Sequence, residues 1–323
     1  MSRVTVLMAA YNAEKYLKEA LDSLLCQTMT DFQAVIVDDA STDSTSQILA
    51  SYSEADKRFV VLTNRVNTGQ AIARNLGLKI ADGDYIAMLD ADDFFAPDTL
   101  EKAVAALDDD SNAASVLLDL QYLLTDGTVT PYPMRSDKPE WIGQEAFELS
   151  LDWSVHGLYV ARAELYEKWP FDASCRLYSD DNTTRLHFLH SGKVIRCEGR
   201  YFYRQYPESM TGKVSALRLE LLAANQSMAA QLRSENQSRQ VRALFERERW
   251  INLTGICGFW LEHREIAEAS SAISLFRRTF CDIDKSLVPF GLRLKPGYFP
   301  FFGFRFWFFQ VKIYFKLRRL SGK

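Results

Sequence analysis

Tyr85-Ile86-Ala87-Met88-Leu89-Asp90-Ala91-Asp92-Asp93 is the stretch on which the reading of the chain turns. Its first five residues form a short continuous apolar run, the pattern of a strand buried on both faces. It ends in three carboxylates, Asp90, Asp92 and Asp93. Side chains of an extended strand alternate faces, so Asp90 and Asp92 point the same way if the extended conformation continues. Crowded carboxylates repel one another and lose hydration, which calls for a counter-cation. Hard oxygen donors favour Mg²⁺ or Mn²⁺, ions that commonly bridge a few carboxylates to the phosphates of a bound molecule. A solvated acidic turn is the alternative for an isolated Asp-x-Asp. The neighbouring strand ends decide against it.

Working upstream, Val4–Ala9 is apolar and β-rich, ends at Tyr11-Asn12, and leads into a helical pattern over Glu14–Leu25. Phe32–Val37 reads as a second buried strand ending in Asp38-Asp39, and Ser41 to Ser44 offer capping side chains for a helix to about Ser53. Arg58–Thr63 is a third strand, and Gln70–Ala81 a helix that Asp82-Gly83 ends. Asp98 caps a further helix through Leu107. Alternating strands and helices predict an α/β fold with a mostly parallel sheet flanked by helices, in which ligands sit beyond the carboxyl ends of strands. Tyr11-Asn12, Asp38-Asp39 and Asp90 to Asp93 all fall there.

Downstream the pattern changes. Val116–Leu124 and Val129–Tyr132 flank Asp126-Gly127, a hairpin signal. A short helix is expected over Trp141–Leu151, a strand over Gly157–Val160, a helix over Asn182–His190, and late strands over Val194–Cys197 and Tyr201–Arg204. Ser215 to about Cys281 is nearly all helical, with no site signature, which leaves core packing or a homo-oligomer contact as its use.

At 323 residues, 47% hydrophobic and 25% charged, the chain has the composition of a folded protein. Its five cysteines are scattered and form neither a zinc-like pair nor a disulfide framework, which fits a reducing cytoplasm. The first residues read as a core strand rather than a signal peptide. The net charge of −4 hides an asymmetry: residues 290–323 hold eight Lys/Arg and no Asp/Glu. On a helix, Arg305, Lys312, Lys316 and Arg319 fall in one stripe, and Phe304, Trp307, Phe308, Val311, Tyr314 and Phe315 form the opposite face. That arrangement predicts a tail lying on an anionic membrane surface, its aromatic face in the lipid. A helix packed on the protein's own core is the alternative.

With these residues in hand, the chain resembles the inverting family 2 glycosyltransferases, which have the nucleotide-sugar-binding GT-A fold. The likeness rests on VTVLMAAYNAEKYLKEALDSLLCQT, VIVDDASTDST, NTGQAIARNLGLKIADGDYI and LDADD in that order, then more weakly on WSVHGLYVARAEL, SDDNTTRLHFLHSGKV and YFYRQYPESMT. It implies a glycosyltransferase domain over residues 1–213, with a nucleotide half (1–110) and an acceptor half (111–213). A helical region (214–289) and the basic aromatic tail (290–323) follow.

The resemblance implies roles residue by residue. Tyr11 and Ala10 would lie against the uracil of a UDP-sugar donor, with Asn12 and Ala91 in the same nucleotide site. Asp39 would accept the uracil N3–H, leaving strand-end capping to Asp38. Arg74 would meet the nucleotide or its phosphates, and Asp90 the ribose or a metal-bound water. Asp92 would ligate Mn²⁺ or Mg²⁺. In a direct displacement one carboxylate must remove the acceptor hydroxyl's proton as it attacks. The Asp180-Asp181 pair, with Arg185 a turn on, would supply it, Asp181 being favoured. The family's usual first residue is Glu, which leaves the choice between the two open. His156, Arg204, Ser209 and Thr211 would lie on the acceptor or diphosphate side.

The implied activity is hexosyl transfer to a saccharide or lipid-linked saccharide acceptor during surface polysaccharide synthesis. The protein would be cytoplasmic and held at the inner face of the plasma membrane. Nucleic acid is not among the expected partners. Single-sugar transfer is favoured because neither the several membrane spans nor the Gln-x-x-Arg-Trp motif of processive synthases is present. The competing reading is a catalytically inactive sugar-nucleotide-binding or scaffolding protein on the same fold. A dinucleotide-dependent dehydrogenase is set aside, since AAYNAEK after the first strand has no glycine.

Overall fold

The computed structural model describes residues 2–206 and 214–320, and the chain forms two compact units. The first comprises residues 1–173 and 179–209. It is built on one mixed sheet whose principal strand order is β3-β2-β1-β4-β9-β6-β10-β5.

β1 (Val4–Ala10) is central and parallel to β2 (Phe32–Asp38) and β4 (Tyr85–Met88), and β3 (Phe59–Thr63) continues the parallel half. The apolar runs expected to be two-sided strands are buried throughout, including Val4, Leu7, Val35, Ile36, Ile86 and Ala87. The intervening helices α1 (Leu17–Leu25), α2 (Thr45–Ala55) and α3 (Gln70–Leu78) cover the sheet. In α1, Leu17, Ala20, Leu21 and Leu24 form the buried stripe that the i, i+3, i+4, i+7 spacing dictates. Gly83, before β4, is required by close approach: a Cβ there would stand 2.4 Å from Thr5 N.

The other half of the sheet is mixed. After β5 (Phe94–Phe95) and α4 (Thr99–Asp109), β6 (Ala113–Leu123) and β7 (Val129–Pro131) form the expected hairpin. β8 (Glu140–Ile142), α5 (Gly143–Leu151), β9 (Tyr159–Arg162), α6 (Ala163–Lys168), α7 (Ser179–His190) and β10 (Lys193–Arg204) follow. β9 is antiparallel to both β4 and β6, so only the β3-β2-β1-β4 portion of the sheet is purely parallel. Two expectations change. The two late strands are one, β10, whose register against β6 shifts between Arg196 and Arg200. α7 begins at Ser179, so Asp180 and Asp181 lie inside its first turn instead of preceding it.

The second unit comprises residues 174–178 and 210–323. Its main helices are α8 (Leu221–Ser234), α9 (Arg239–Glu262), α10 (Ala269–Asp282), the short α11 (Phe290–Arg293) and α12 (Gly303–Leu320). Ser238 caps α9 by accepting a hydrogen bond from Val241 N. Trp250, Phe280 and Trp307 meet in its core, each ring centroid within 5.8 Å of the other two. This corrects the reading of the tail. The face expected to enter lipid is turned onto the unit's own core, with Trp307, Phe308 and Val311 buried and Phe304 and Phe315 packed beside them. Full burial of such a side chain stabilises the fold by about 1.5–3 kcal/mol, enough to dictate which face turns inward.

Candidate active site

The polar strand ends do converge at the carboxyl edge of the parallel strands. β1 ends at Ala10, whose carbonyl accepts from Asp39 N. Tyr11 beyond it is half exposed, an aromatic face open to a planar ligand. Asn12 takes a positive φ of 49° and is latched to the loop after β2. It donates from its backbone to Ser41 Oγ and accepts Thr42 N.

Asp38 and Asp39 serve different segments. Asp38 is fully buried and accepts from Ser41 N and the Ser46 hydroxyl, which fixes the strand-end loop. The Asp39 carboxylate is committed to the segment ahead of α3. It accepts from Asn64 Nδ2 at 2.7 Å, from the Thr68 amide and hydroxyl, and from Gly69 N at 2.7 Å. Burial works against its charge, but those donors hold its pKa below the usual carboxylate range. A uracil N3–H would therefore have to share or displace donors already in place.

α3 carries Arg74 into the interior. Its guanidinium donates to Asp90 Oδ1 and lies over the Phe171 ring at 5.4 Å. Asn75 pins that ring's segment through reciprocal bonds with the Phe171 backbone at 2.8 and 2.9 Å. Among the described residues, Arg74 Nε and Nη1 are buried without a hydrogen-bond partner. Burial opposes the charge, and Asp90 and Asp180 more than restore it. Asp180, itself pushed up by burial, feels both Arg74 and Asp90, so the start of α7 and the end of β4 share one electrostatic site.

The acidic run after β4 has three separate jobs. Asp90 faces Arg74. Asp92 is half-buried and accepts the Tyr206 hydroxyl at 2.6 Å, while burial and Asp90 raise its pKa. Asp93, the most buried, accepts the Tyr201 hydroxyl at 2.8 Å and Arg204 N at 2.7 Å, tying the run to β10. Burial, then Asp90 and Asp92, hold its pKa well above the usual value. Ala91 is buried between them.

Among the described residues, no group of three or more His, Cys, Asp or Glu side chains could hold a metal ion. A Mg²⁺- or Mn²⁺-type ion does not need such a cage, since it keeps waters and takes one or two carboxylates plus phosphate oxygens. Asp92 fits that requirement: it is a hard oxygen donor, only half-buried, beside a second carboxylate whose repulsion a cation would relieve.

At the start of α7, Asp181 is the distinctive group. Burial, with Asp180 adding and Arg185 opposing, brings its carboxyl up to about 7. Arg185 Nη2 stands 3.6 Å from Asp181 Oδ2 and lies over the Trp153 ring at 5.3 Å. Trp153 takes a left-handed φ of 58°, a conformation costly for a bulky residue. The Tyr132 hydroxyl donates to its carbonyl and secures it.

The remaining expected residues differ in character. His156 is 3% exposed, edge-on to Tyr132, accepts Leu158 N on Nδ1, and is kept neutral by burial with a pKa of about 3. It is a packed interior residue. Arg204 is anchored in the wall, bound to Glu19 and the Asp92 carbonyl with Tyr16 stacked on it at 4.2 Å. Ser209 and Thr211 lie outside the described residues. Glu19, Tyr201 and Tyr206 escaped sequence reasoning. Tyr201 and Tyr206 had as their only signal the Tyr-rich segment at the end of β10, and Glu19, on α1, had none.

Comparison with known proteins gives the same frame. The family model described as Glycosyl transferase family 2 matches residues 5–157. An uncharacterized glycosyltransferase of Bacillus subtilis, EpsJ, is 29% identical over 220 residues, 64% of this chain and 62% of that protein. TuaG of the same organism, a putative teichuronic acid biosynthesis glycosyltransferase, is 42% identical over 99 residues, 31% of this chain and 39% of its own. The chain thus spans less than two thirds of either relative. Among solved structures, S. aureus TarS 1-349 in complex with UDP-GlcNAc superposes with a TM-score of 0.77 at 20% identity, covering 99% of this chain and 92% of that one.

Proposed function

The chain carries a family 2 glycosyltransferase domain on a GT-A fold, and from that premise we propose that it is an inverting enzyme moving one hexose from a UDP-sugar to a saccharide acceptor. One observation carries this reading: a carboxylate brought up to about 7, Asp181, follows Asp180 in the first turn of α7, and Asp180 feels the Arg74–Asp90 pair. A general base works best when its pKa lies near the working pH.

In this reading Tyr11 receives the uracil, with Ala10, Asn12 and Ala91 around it, and Asp39 both orders the segment before α3 and meets the base. Arg74 offers its two unpartnered donors to the nucleotide. Asp92 would hold Mn²⁺ or Mg²⁺, which when bound would offset charge on the departing diphosphate. Asp181 removes the acceptor hydroxyl's proton as the oxygen attacks the anomeric carbon from the face opposite UDP. Arg185 keeps that carboxylate from rising further, and Asp180 completes the pair. The TarS complexes with UDP and UDP-GlcNAc support the choice of donor class. The relative TuaG, described as a putative teichuronic acid biosynthesis glycosyltransferase, supports a place in polysaccharide assembly. A lipid-linked acceptor, met at the inner face of the plasma membrane through the C-terminal segment, belongs to the same reading.

The test is a screen of UDP-sugars for UDP release with Mn²⁺ present, with and without candidate acceptors. Release stimulated by one acceptor with one donor is the expected result. UDP binding with no turnover for any donor would favour the inactive, scaffolding alternative.

A further inference from the structure

α12 has three faces, and only one is accounted for by the core of the second unit. Trp307, Phe308 and Val311 point inward. Phe306, Phe309, Ile313, Leu317 and Leu320 are exposed, by 58% at Phe309 and 60% at Leu317, as is Phe302 just ahead of the helix. At helical periodicity the five within α12 fall within a sector of about 80°, a continuous apolar stripe. Arg305, Lys312, Lys316 and Arg319, all exposed, form a second row along its edge.

We propose that this exposed stripe, with its basic row, is the surface by which the chain lies on an anionic lipid bilayer. The proposal deepens the membrane part of the reading above and rests on that part alone, not on sugar transfer. Two features on α12 fit a bilayer interface. The segment 290–323 has eight Lys/Arg and no Asp/Glu, so anionic headgroups complement the row while acyl chains receive the stripe. The helix is also fixed in place beforehand. Gln310 Nε2 donates to Phe299 O at 3.1 Å and Trp250 Nε1 to Tyr298 O at 2.9 Å, holding the approach to α12 against the core.

A second copy of the chain is a poorer occupant. Stripe-to-stripe pairing would set two basic rows side by side, with no acidic residue in 290–323 to answer them. Spanning is not involved, because no helix among the described residues is long and apolar enough to cross a membrane.

The full chain is tested by sedimentation with vesicles of phosphatidylglycerol and phosphatidylcholine, and with phosphatidylcholine alone, at low and high salt. The variants are the triple substitution Phe309→Ser, Ile313→Ser, Leu317→Ser and, separately, Lys312→Glu with Lys316→Glu. All three proteins are first checked for equal UDP affinity, a property of the other unit. The expected result is binding to anionic vesicles that weakens with salt, falls at least about tenfold in the triple variant, and falls several-fold in the double variant. Equal sedimentation of wild type and triple variant would overturn the assignment of this face while leaving membrane association itself standing. No sedimentation of wild type would remove both. Self-association abolished by the triple variant, without vesicle binding, would make the stripe a contact between copies.

Discussion

Arg74 donates to Asp90 from Nη2 inside the first unit, while its Nε and Nη1 have no acceptor among the described residues. Leaving a buried donor unpaired costs about 1–3 kcal/mol, and more on a charged group, so this arrangement is expensive unless something completes it. Phosphate or ribose oxygens are suitable acceptors, and the fork geometry of a guanidinium suits them. Arg74→Lys keeps the charge and loses the fork. UDP affinity measured by calorimetry should fall about tenfold or more. Unchanged affinity would place the nucleotide elsewhere.

Asp39 ties Asn64, Thr68 and Gly69 together ahead of the helix that carries Arg74. Asp39→Asn replaces an acceptor with an NH₂ group facing backbone donors. It should cost about 1–3 kcal/mol for each donor left unpaired, and weaken UDP binding as well. The pH dependence has a definite sign. A carboxylate whose folded pKa is depressed contributes its full stability above the unfolded pKa of about 3.9 and loses it as pH falls through the lower folded value. Urea midpoints should therefore separate the two proteins most at neutral pH and converge in acid. A constant gap down to the lowest pH would contradict the account.

Asp92 is the residue on which metal dependence rests. Asp92→Ala should abolish transfer, and EDTA should do the same to wild type, reversed by added Mn²⁺. Weak UDP binding through Tyr11 and Asp39 should survive both treatments, as equilibrium dialysis would show. Full turnover in EDTA would exclude a metal role for this carboxylate.

The legible parts of the chain were those governed by local pattern. The buried runs of β1, β2 and β4 and the convergence of their polar ends followed from apolar periodicity and from the place of ligands on open sheets. What stayed hidden depends on contacts far apart in sequence. Nothing local to Asp93 says that Tyr201, 108 residues on, will bind it and make it structural. Nothing in a lone His156 distinguishes a packed ring from a reactive one. The sequence of α12 alone predicts an amphipathic helix with its larger aromatic face outward, because a helix in isolation does not reveal which apolar stripe its neighbours will cover. Trp250 and Phe280 decided that, leaving the narrower stripe at Phe306, Phe309 and Ile313 exposed.

The central claim is that Asp181 is the general base of sugar transfer. Its direct test is kcat for wild type, Asp181→Asn and Asp180→Asn across pH, with UDP affinity measured alongside. Since the carboxyl sits at about 7, wild-type kcat should climb with pH through an acidic limb near that value, as the base form appears. Asp181→Asn should lower kcat by about 10²–10⁴-fold, flatten that limb and leave UDP affinity intact, while Asp180→Asn costs far less. If Asp180→Asn carries the larger loss and Asp181→Asn keeps the limb, the first carboxylate of the pair is the base and the assignment fails.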